Sequence, residues 1–374
     1  MSILDSFLKF ANTSVSPQIG VLITRMDSNH LNKFYNEKIF FLLKANQKSK
    51  VDIFFFMLLD IDFENHQVKG YYLDEQSNQF KTNIFAFPDV IYKLGGVLRK
   101  EKTWFEKLTQ YIEKNNIKTI NSYSNFDKWE VHEVLKEYNN LSSYLITTLL
   151  YNSQDDLRYM VNRHNSIYIK PTGGRLGKKI MRIDKVDACY RCITMRDEKP
   201  KSLFFNNFDE LELYIRNYFR NFTSIIQEAI DLLSINEQLV DMRVEVQRNG
   251  NNQIEILAIP VRLGQDKAPV TQHATSYKFR DFFSSFLNLS NNEIDQLYKS
   301  IEKLTTIVYK TIESYYGQCG EMGIDIGIDN EFNLKLIECN SQPTKVSLIN
   351  AYEREVVERS FENILNYGKY LSKI

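Results

Sequence analysis

Apolar residues follow two rhythms along this chain. Between positions 19 and 120, short runs rich in β-branched and aromatic residues alternate with polar connections. The runs fall at 19–24, 51–61, 69–73 and 85–92, and 117–122 reads as a final strand. Helix-like stretches near 30–45 and 101–114 separate them. Strands interleaved with helices predict an α/β layer domain over residues 1–121.

Beyond 121 the pattern changes. A helix begins near Trp129, with Asn125 or Asp127 available as its cap. A strand at 166–171, a glycine-rich turn, a strand-like run at 179–184, a phenylalanine-rich helix around 208–220 and a strand at 222–230 follow. These make up a second unit, 122–228. A third, 229–374, carries the strictly alternating segment 241–248, which predicts one polar and one apolar face. Asn249 and Gly250 mark a tight hairpin into 253–259. The clearest helix places Ile294, Leu297, Ile301, Leu304, Val308, Ile312 and Tyr315 at steps of three and four, and Gly317 stops it.

Two further strand patterns, 323–329 and 333–340, flank the turn-forming Asp329 and Asn330 and predict an antiparallel hairpin. Side chains alternate along a strand, so Glu338 and Asn340 share a face and Asp325 lies across from them. Magnesium prefers one or two carboxylates supplemented by water and phosphate oxygens, and this trio suits that preference. On pattern alone, a solvated acidic face accounts for the hairpin equally well.

Composition narrows the classes. Lysine plus arginine and aspartate plus glutamate each number 47, which removes any long-range pull toward nucleic acid or an anionic membrane. The run 51–61 contains Asp52 and Asp60 and is too short for a membrane span. The first ten residues lack the pattern of a secretory signal, so the expectation is a cytoplasmic protein. Cys189 and Cys192 sit in a strand-like segment without zinc or redox partners, and the five histidines do not cluster.

Lys170 ends a strand just before Gly173, Gly174 and Gly177. Glycines allow successive N–H groups to point at phosphate oxygens, although the Walker spacing is absent. Lys128 lies upstream and the carboxylate hairpin downstream.

In this order Asp127-Lys128, Lys170-Pro171 with its glycine loop, Gln227-Glu228, Asp241 and Arg243, Arg262, Gly323 and Asp325, then Glu338 and Asn340, the chain resembles the ATP-grasp superfamily. Asn121-Ser122 with Phe126, Lys128 and Trp129, and the run from Glu338 to Pro343, are similar to the YheC/YheD group of endospore coat-associated ATP-grasp proteins. The resemblance spans about 120–345. It implies a Rossmann-like N-terminal domain and two α+β subdomains that enclose a nucleotide. It further implies that Lys128 and Lys170 contact ATP phosphates, that Gly173, Gly174 and Gly177 cover them, and that the segment with Gln227, Glu228 and Ile230 binds adenine. Asp325, Glu338 and Asn340 match magnesium ligands.

Two departures stand out. The segment 270–276 differs from the group's usual loop, and Gly323 stands where several ligases of the superfamily carry arginine. Arg243 and Arg262 would then offset transition-state charge together with Lys170; their bland reading is as surface residues on strands. The reaction implied is ADP-forming carboxylate–amine ligation through an acyl phosphate. ATP and Mg2+ serve as cofactors, and a small-molecule or peptide carboxylate and an amine acceptor serve as partners. A homo-oligomer is compatible with this reading. The alternatives are a silent spore-coat or scaffold protein and a kinase that stops at phosphoryl transfer. The loop 264–280, with Lys267, His273 and Lys278, is the candidate acceptor side.

Overall fold

The computed structural model describes residues 16–24, 31, 37–95, 101–174, 179–196, 199–266, 268, 270–271 and 274–374. Contacts group the chain into two units, one of 1–121 with 248–253 and 358–374, the other of 122–247 with 254–357. The C-terminal residues thus group with the N-terminal domain.

The first unit is the expected α/β layer. Strands Asp52–Phe56, Gln18–Leu22, Val90–Lys93 and Lys118–Thr119 run parallel in that spatial order. An antiparallel hairpin, Gln67–Asp74 with Gln79–Ala86, extends the sheet. Helix Lys102–Lys114 falls where expected, and Glu37–Ser49 runs four residues past the expected stretch near 30–45, of which 30 and 32–36 lie outside the described residues. The expected single run at 85–92 is two strands. Pro88, with no N–H to give the ladder, separates them, and Asp89 turns its carboxylate to the backbone N–H of Gln18 at 2.8 Å.

The second unit holds two antiparallel sheets. One, here the glycine-loop sheet, orders Lys199–Phe205, Cys189–Arg196, Met181–Val186, Ser166–Pro171, Ser224–Glu228 and Thr148–Leu150. Helices Gln154–Arg163 and Phe208–Phe219 bury Leu157, Met160, Leu211 and Ile215 against Ile167, Ile169 and Ile183. The other, the carboxylate sheet, orders Thr275–Tyr277, Val261–Leu263, Gln238–Arg248, Glu321–Ile328 and Leu334–Asn340.

The long helix, Asn291–Tyr316, lies on the carboxylate sheet. Ser290 and Glu293 form its capping box, and Ile301, Leu304, Val308 and Ile312 are fully buried. Its stripe ends on Tyr316, at 5% exposure, and not on Tyr315, at 56%: both stand about a turn beyond Ile312, and Tyr316 is the one that packs on Phe126. The hairpin at Asn249 is wider than a two-residue turn. The Asn249 side chain accepts from the N–H groups of Asn251 and Gln253 and so organises a five-residue connection, 249–253.

Gln238–Arg248 departs from expectation in an instructive way. Its apolar face, Val240 to Val246, packs into the core with the long helix, as the alternation requires. Its polar face is buried as well: Asp241, Glu245 and Gln247 are at 4%, 0% and 0% exposure. A strand covered on both faces that still alternates in polarity marks a buried polar layer, and charges in such a layer need partners. Among the described residues, no helix is long and apolar enough to cross a membrane.

Candidate functional site

The buried polar layer gathers around Asp325. Strand register sets Asp325 directly between Arg243 on one neighbouring strand and Glu338 on the other. A bulge between Asp325 and Ile326 leaves Ile337 without a partner, so the pairing of Glu338 with Asp325 and of Asn340 with Gly323 holds only on the far side of it. Asp325 is 7% exposed, so the face that carries it is not a solvated hairpin face.

Both oxygens of Asp325 are engaged. Arg243 donates through Nε to Oδ1 and through Nη2 to Oδ2, the latter at 2.9 Å. Arg262 Nη2 lies 3.2 Å from Oδ1. Arg262 also makes a two-pronged contact with Asp241, at 2.6 Å on each side, and Thr271 donates to Asp241 Oδ2 at 2.7 Å. The two arginine side chains are 12% and 14% exposed, which sets aside the alternative of strand-surface residues: each is drawn inward by a carboxylate on an adjacent strand. Burial by itself would raise the Asp325 carboxyl. The guanidinium groups, Arg243 before Arg262, outweigh it and hold the group below the ordinary carboxylate range.

Gly323 explains how Arg243 arrives. A Cβ at 323 would stand 3.1 Å from Arg243 Nη1 and 3.2 Å from its Cδ. The bare glycine leaves the channel through which the neighbouring strand's arginine reaches Asp325.

Lys128 comes from the opposite direction. Asp127 caps the helix Lys128–Lys136 by accepting from Trp129 and Glu130 N–H, and Tyr316 donates to Glu130 at 2.7 Å, which steadies the helix start. The backbone N–H of Lys128 bonds to Thr172 O at 2.9 Å. Its ammonium lies 3.5 Å from Gly174 O and 3.6 Å from Glu338 Oε1. Lys170, 6% exposed on Ser166–Pro171, completes the group. Burial pushes its ammonium down to about 8; Glu338 and Asp325 pull it up, and Lys128 adds to the lowering.

The remaining expected residues divide. A Cβ built on Gly173 or Gly174 meets nothing within 4 Å, and Gly174 has φ +115°, so this backbone is open to a close approach. Gly177, Lys267 and His273 lie outside the described residues. Gln227 spends its side chain on Thr148, donating at 3.0 Å, and Glu228 pairs with His164 Nδ1 at 3.4 Å. Ile230 packs over Gly327, where a Cβ would come within 2.9 Å of it. Lys278 is paired with Glu353.

Between the two sheets lies a partly open pocket lined by Lys128, His132, Lys170, Gln227 and Glu338, with apolar walls from Ile225 and Leu336. His132 is one of the five histidines that do not cluster along the chain. Its one-turn spacing from Lys128 was the available signal, since residues four apart share a helix face. It stacks on Trp129, and burial lowers its pKa, which favours the neutral ring.

The donor set fits a hard divalent cation. Asp325 and Glu338 are cross-strand partners, and Asn340, two residues beyond Glu338 on the same strand face, adds an amide oxygen to their carboxylates. Among the described residues no three His, Cys, Asp or Glu side chains gather into a metal cage, so most coordination would fall to phosphate oxygens and water.

Residues 116–371 match the model of the YheC/D-like ATP-grasp family. The endospore coat-associated protein YheD of Bacillus subtilis (strain 168) is 21% identical over 366 residues, covering 96% of this chain and 80% of its own length. Among solved structures, the D-alanine-D-alanine ligase of Coxiella burnetii has a TM-score of 0.53 at 11% identity, covering 95% of each chain. A RiPP-associated ATP-grasp ligase of Chryseobacterium gregarium, solved with ADP and a leader and core peptide, has a TM-score of 0.51 at 12% identity, with 93% of this chain and 96% of that one covered. At such identities the structural likenesses establish the fold alone. The chain has the ATP-grasp fold and belongs to the YheC/D-like ATP-grasp family.

Proposed function

We propose that this protein is an ADP-forming carboxylate–amine ligase that binds ATP between the glycine-loop and carboxylate sheets. The observation that carries the reading is the convergence of Lys128 and Lys170 from one sheet and its adjoining helix with Asp325, Glu338, Arg243 and Arg262 of the other. Cationic donors that face paired carboxylates suit a polyphosphate whose charge is shared with a cation. The domain assignment that goes with this reading is an N-terminal α/β domain at 1–121, a glycine-loop subdomain at 122–228 and a metal-site subdomain at 229–374.

In the proposed reaction a substrate carboxylate oxygen attacks the γ-phosphorus and the bond to the bridging oxygen breaks, which releases ADP and leaves an acyl phosphate. An amine nitrogen then attacks the acyl carbon, the carbon–oxygen bond to phosphate breaks, and inorganic phosphate and the amine's proton leave. Lys128, reaching the mouth of the glycine loop at Gly174, and the buried Lys170 hold phosphate oxygens. Arg243 and Arg262 neutralise charge on the transferring group, and their planar forks suit a carboxylate or phosphate. Magnesium, held by Asp325, Glu338 and Asn340, would supply charge neutralisation between phosphates. Positioning dominates this chemistry, so a dispersed set of charged side chains suffices. Gly173, Gly174 and Gly177 close over the phosphates, and the backbone around Gln227, Glu228 and Ile230 receives the adenine.

The test is an ADP-release screen of amino acids and peptides, with product mass distinguishing an amide from a phosphate ester. Glu338→Ala and Lys170→Ala should each lower nucleotide turnover about 10²–10³-fold, and full activity in both would remove the site assignment. The name of the Bacillus relatives supports a second reading, a coat-associated protein without turnover. Absence of ADP release with every acid–amine pair would favour it.

A further inference from the structure

The carboxylate sheet contains a feature that ligand binding alone does not explain: Asp325, the central proposed metal ligand, is already neutralised. Arg243 grips both of its oxygens and Arg262 adds a third contact, so three of the roughly four acceptor positions of the carboxylate are in use. Glu338 is likewise faced by Lys128 at 3.6 Å. Glu245, fully buried beside Arg243, and the buried Lys345–Glu321 pair belong to the same layer, so Arg243, Arg262, Lys128, Lys170 and Lys345 stand against Asp241, Asp325, Glu338, Glu245 and Glu321, five basic groups to five acidic ones. A bare divalent cation would have to displace guanidinium groups that already hold both oxygens of Asp325. A nucleotide polyphosphate offers those arginines a new anionic partner.

We infer that Arg243 and Arg262 form a latch on Asp325 that keeps divalent cations out until nucleotide is bound, so that the site fills in a fixed order. The inference rests on the metal reading given above. The two arginines differ in what they keep when the latch opens. Arg262 retains its two-pronged contact with Asp241, itself tied to the 264–280 loop by Thr271. Arg243 loses its bidentate partner and lies over Gly323, whose missing Cβ leaves room for the side chain to swing. Arg243 is therefore the moving part and Arg262 the hinge.

Mn2+ binding followed by electron paramagnetic resonance, with and without ADP, tests this without any need for the acid and amine substrates. Wild-type protein should bind Mn2+ at least tenfold more tightly with ADP than without. Arg243→Met should bind Mn2+ alone at least tenfold more tightly than wild type, and Arg262→Met should gain less. Arg243→Lys, which keeps the charge and loses the fork, should fall between Arg243→Met and wild type, and it serves in place of Arg243→Met should that variant not fold. Folded variants at Arg243 with wild-type Mn2+ affinity would overturn the latch, as would tight Mn2+ binding by wild type in the absence of nucleotide; both outcomes leave the metal site standing. No Mn2+ binding even with ADP would instead remove the metal site, and the latch with it.

Discussion

Asp184 and Asp325 are near twins in local chemistry and differ in what surrounds them. Each is a buried aspartate on a strand of an antiparallel sheet, clasped by two arginines. Asp184, on the glycine-loop sheet, accepts from Arg182 at 2.7 Å, from Arg191 at 3.1 and 2.7 Å, and from the Ser166 hydroxyl at 2.8 Å. Its arginine side chains are 27% and 41% exposed, so water shares the cost of their charge. The Asp325 arginines are buried, and the cluster runs on through Asp241, Glu338 and the two lysines. One aspartate belongs to a closed and solvated set, the other to an open and dry one. A closed set fixes strand register; an open set retains charge that a ligand can exchange.

The strongest way to break this contrast is by activity. Glu338→Ala or Lys170→Ala should lower ADP release about 10²–10³-fold, the scale of losing one preorganised electrostatic contact. Arg191→Ala, from the closed set, should leave it within about twofold. Equal losses in all three would erase the distinction.

Stability gives the second test. Asp325→Ala strands the buried Arg243 guanidinium and takes one contact from Arg262, which keeps Asp241, and should cost about 3–5 kcal/mol in chemical denaturation. Asp184→Ala leaves arginines that water can reach and should cost about 1–2 kcal/mol.

The pH dependence sharpens the picture of the open set. The Lys170 ammonium is pushed down to about 8 by burial, below its unfolded value. The folded state therefore releases its proton first. The destabilisation from burying the charge is fully present below pH 8 and is relieved as pH rises from about 8 toward the unfolded value near 10.4. Relative to Lys170→Met, wild-type stability should climb across that window. Nucleotide affinity should fall across it, by at most about tenfold per pH unit, because phosphate favours the charged lysine. Calorimetric titration at several pH values measures both, and a flat affinity profile would detach Lys170 from the phosphates.

The smallest effect is expected at Gly323. Gly323→Ala places a methyl 3.1 Å from both Arg243 Nη1 and Pro343 Cβ, where the arginine can yield and the proline ring cannot easily do so. About 1 kcal/mol of stability should be lost, and a neutral result would show that Arg243 needs no such channel.

Much of the site was legible in the chain because it rests on local spacing. The pairing of Asp325 with Glu338 follows from period-two alternation and one turn, and the Lys128 helix start follows from its Asp127 cap. His132 was not singled out, because its spacing from Lys128 gains meaning only when a second sheet walls the same pocket. The split at Pro88 was available locally and was overridden by a run of apolar residues on either side. Tyr315 and Tyr316 could not be told apart, since both fit a helical stripe and only packing chooses which one is buried.

The sequence by itself determined the elements, their order, the family and the pairing of the carboxylate hairpin. Each depends on interactions among residues close in the chain or on a recognisable order of motifs. Only the tertiary structure decided the fate of the polar face of Gln238–Arg248. Alternation reads the same whether that face meets water or a second buried layer, because period two reports which side chains share a face and not what covers them. Burial turned Arg243 and Arg262 from strand-surface residues into partners of Asp325, brought together by register from positions 82 and 63 residues away: separations set by strand order, which no local pattern encodes.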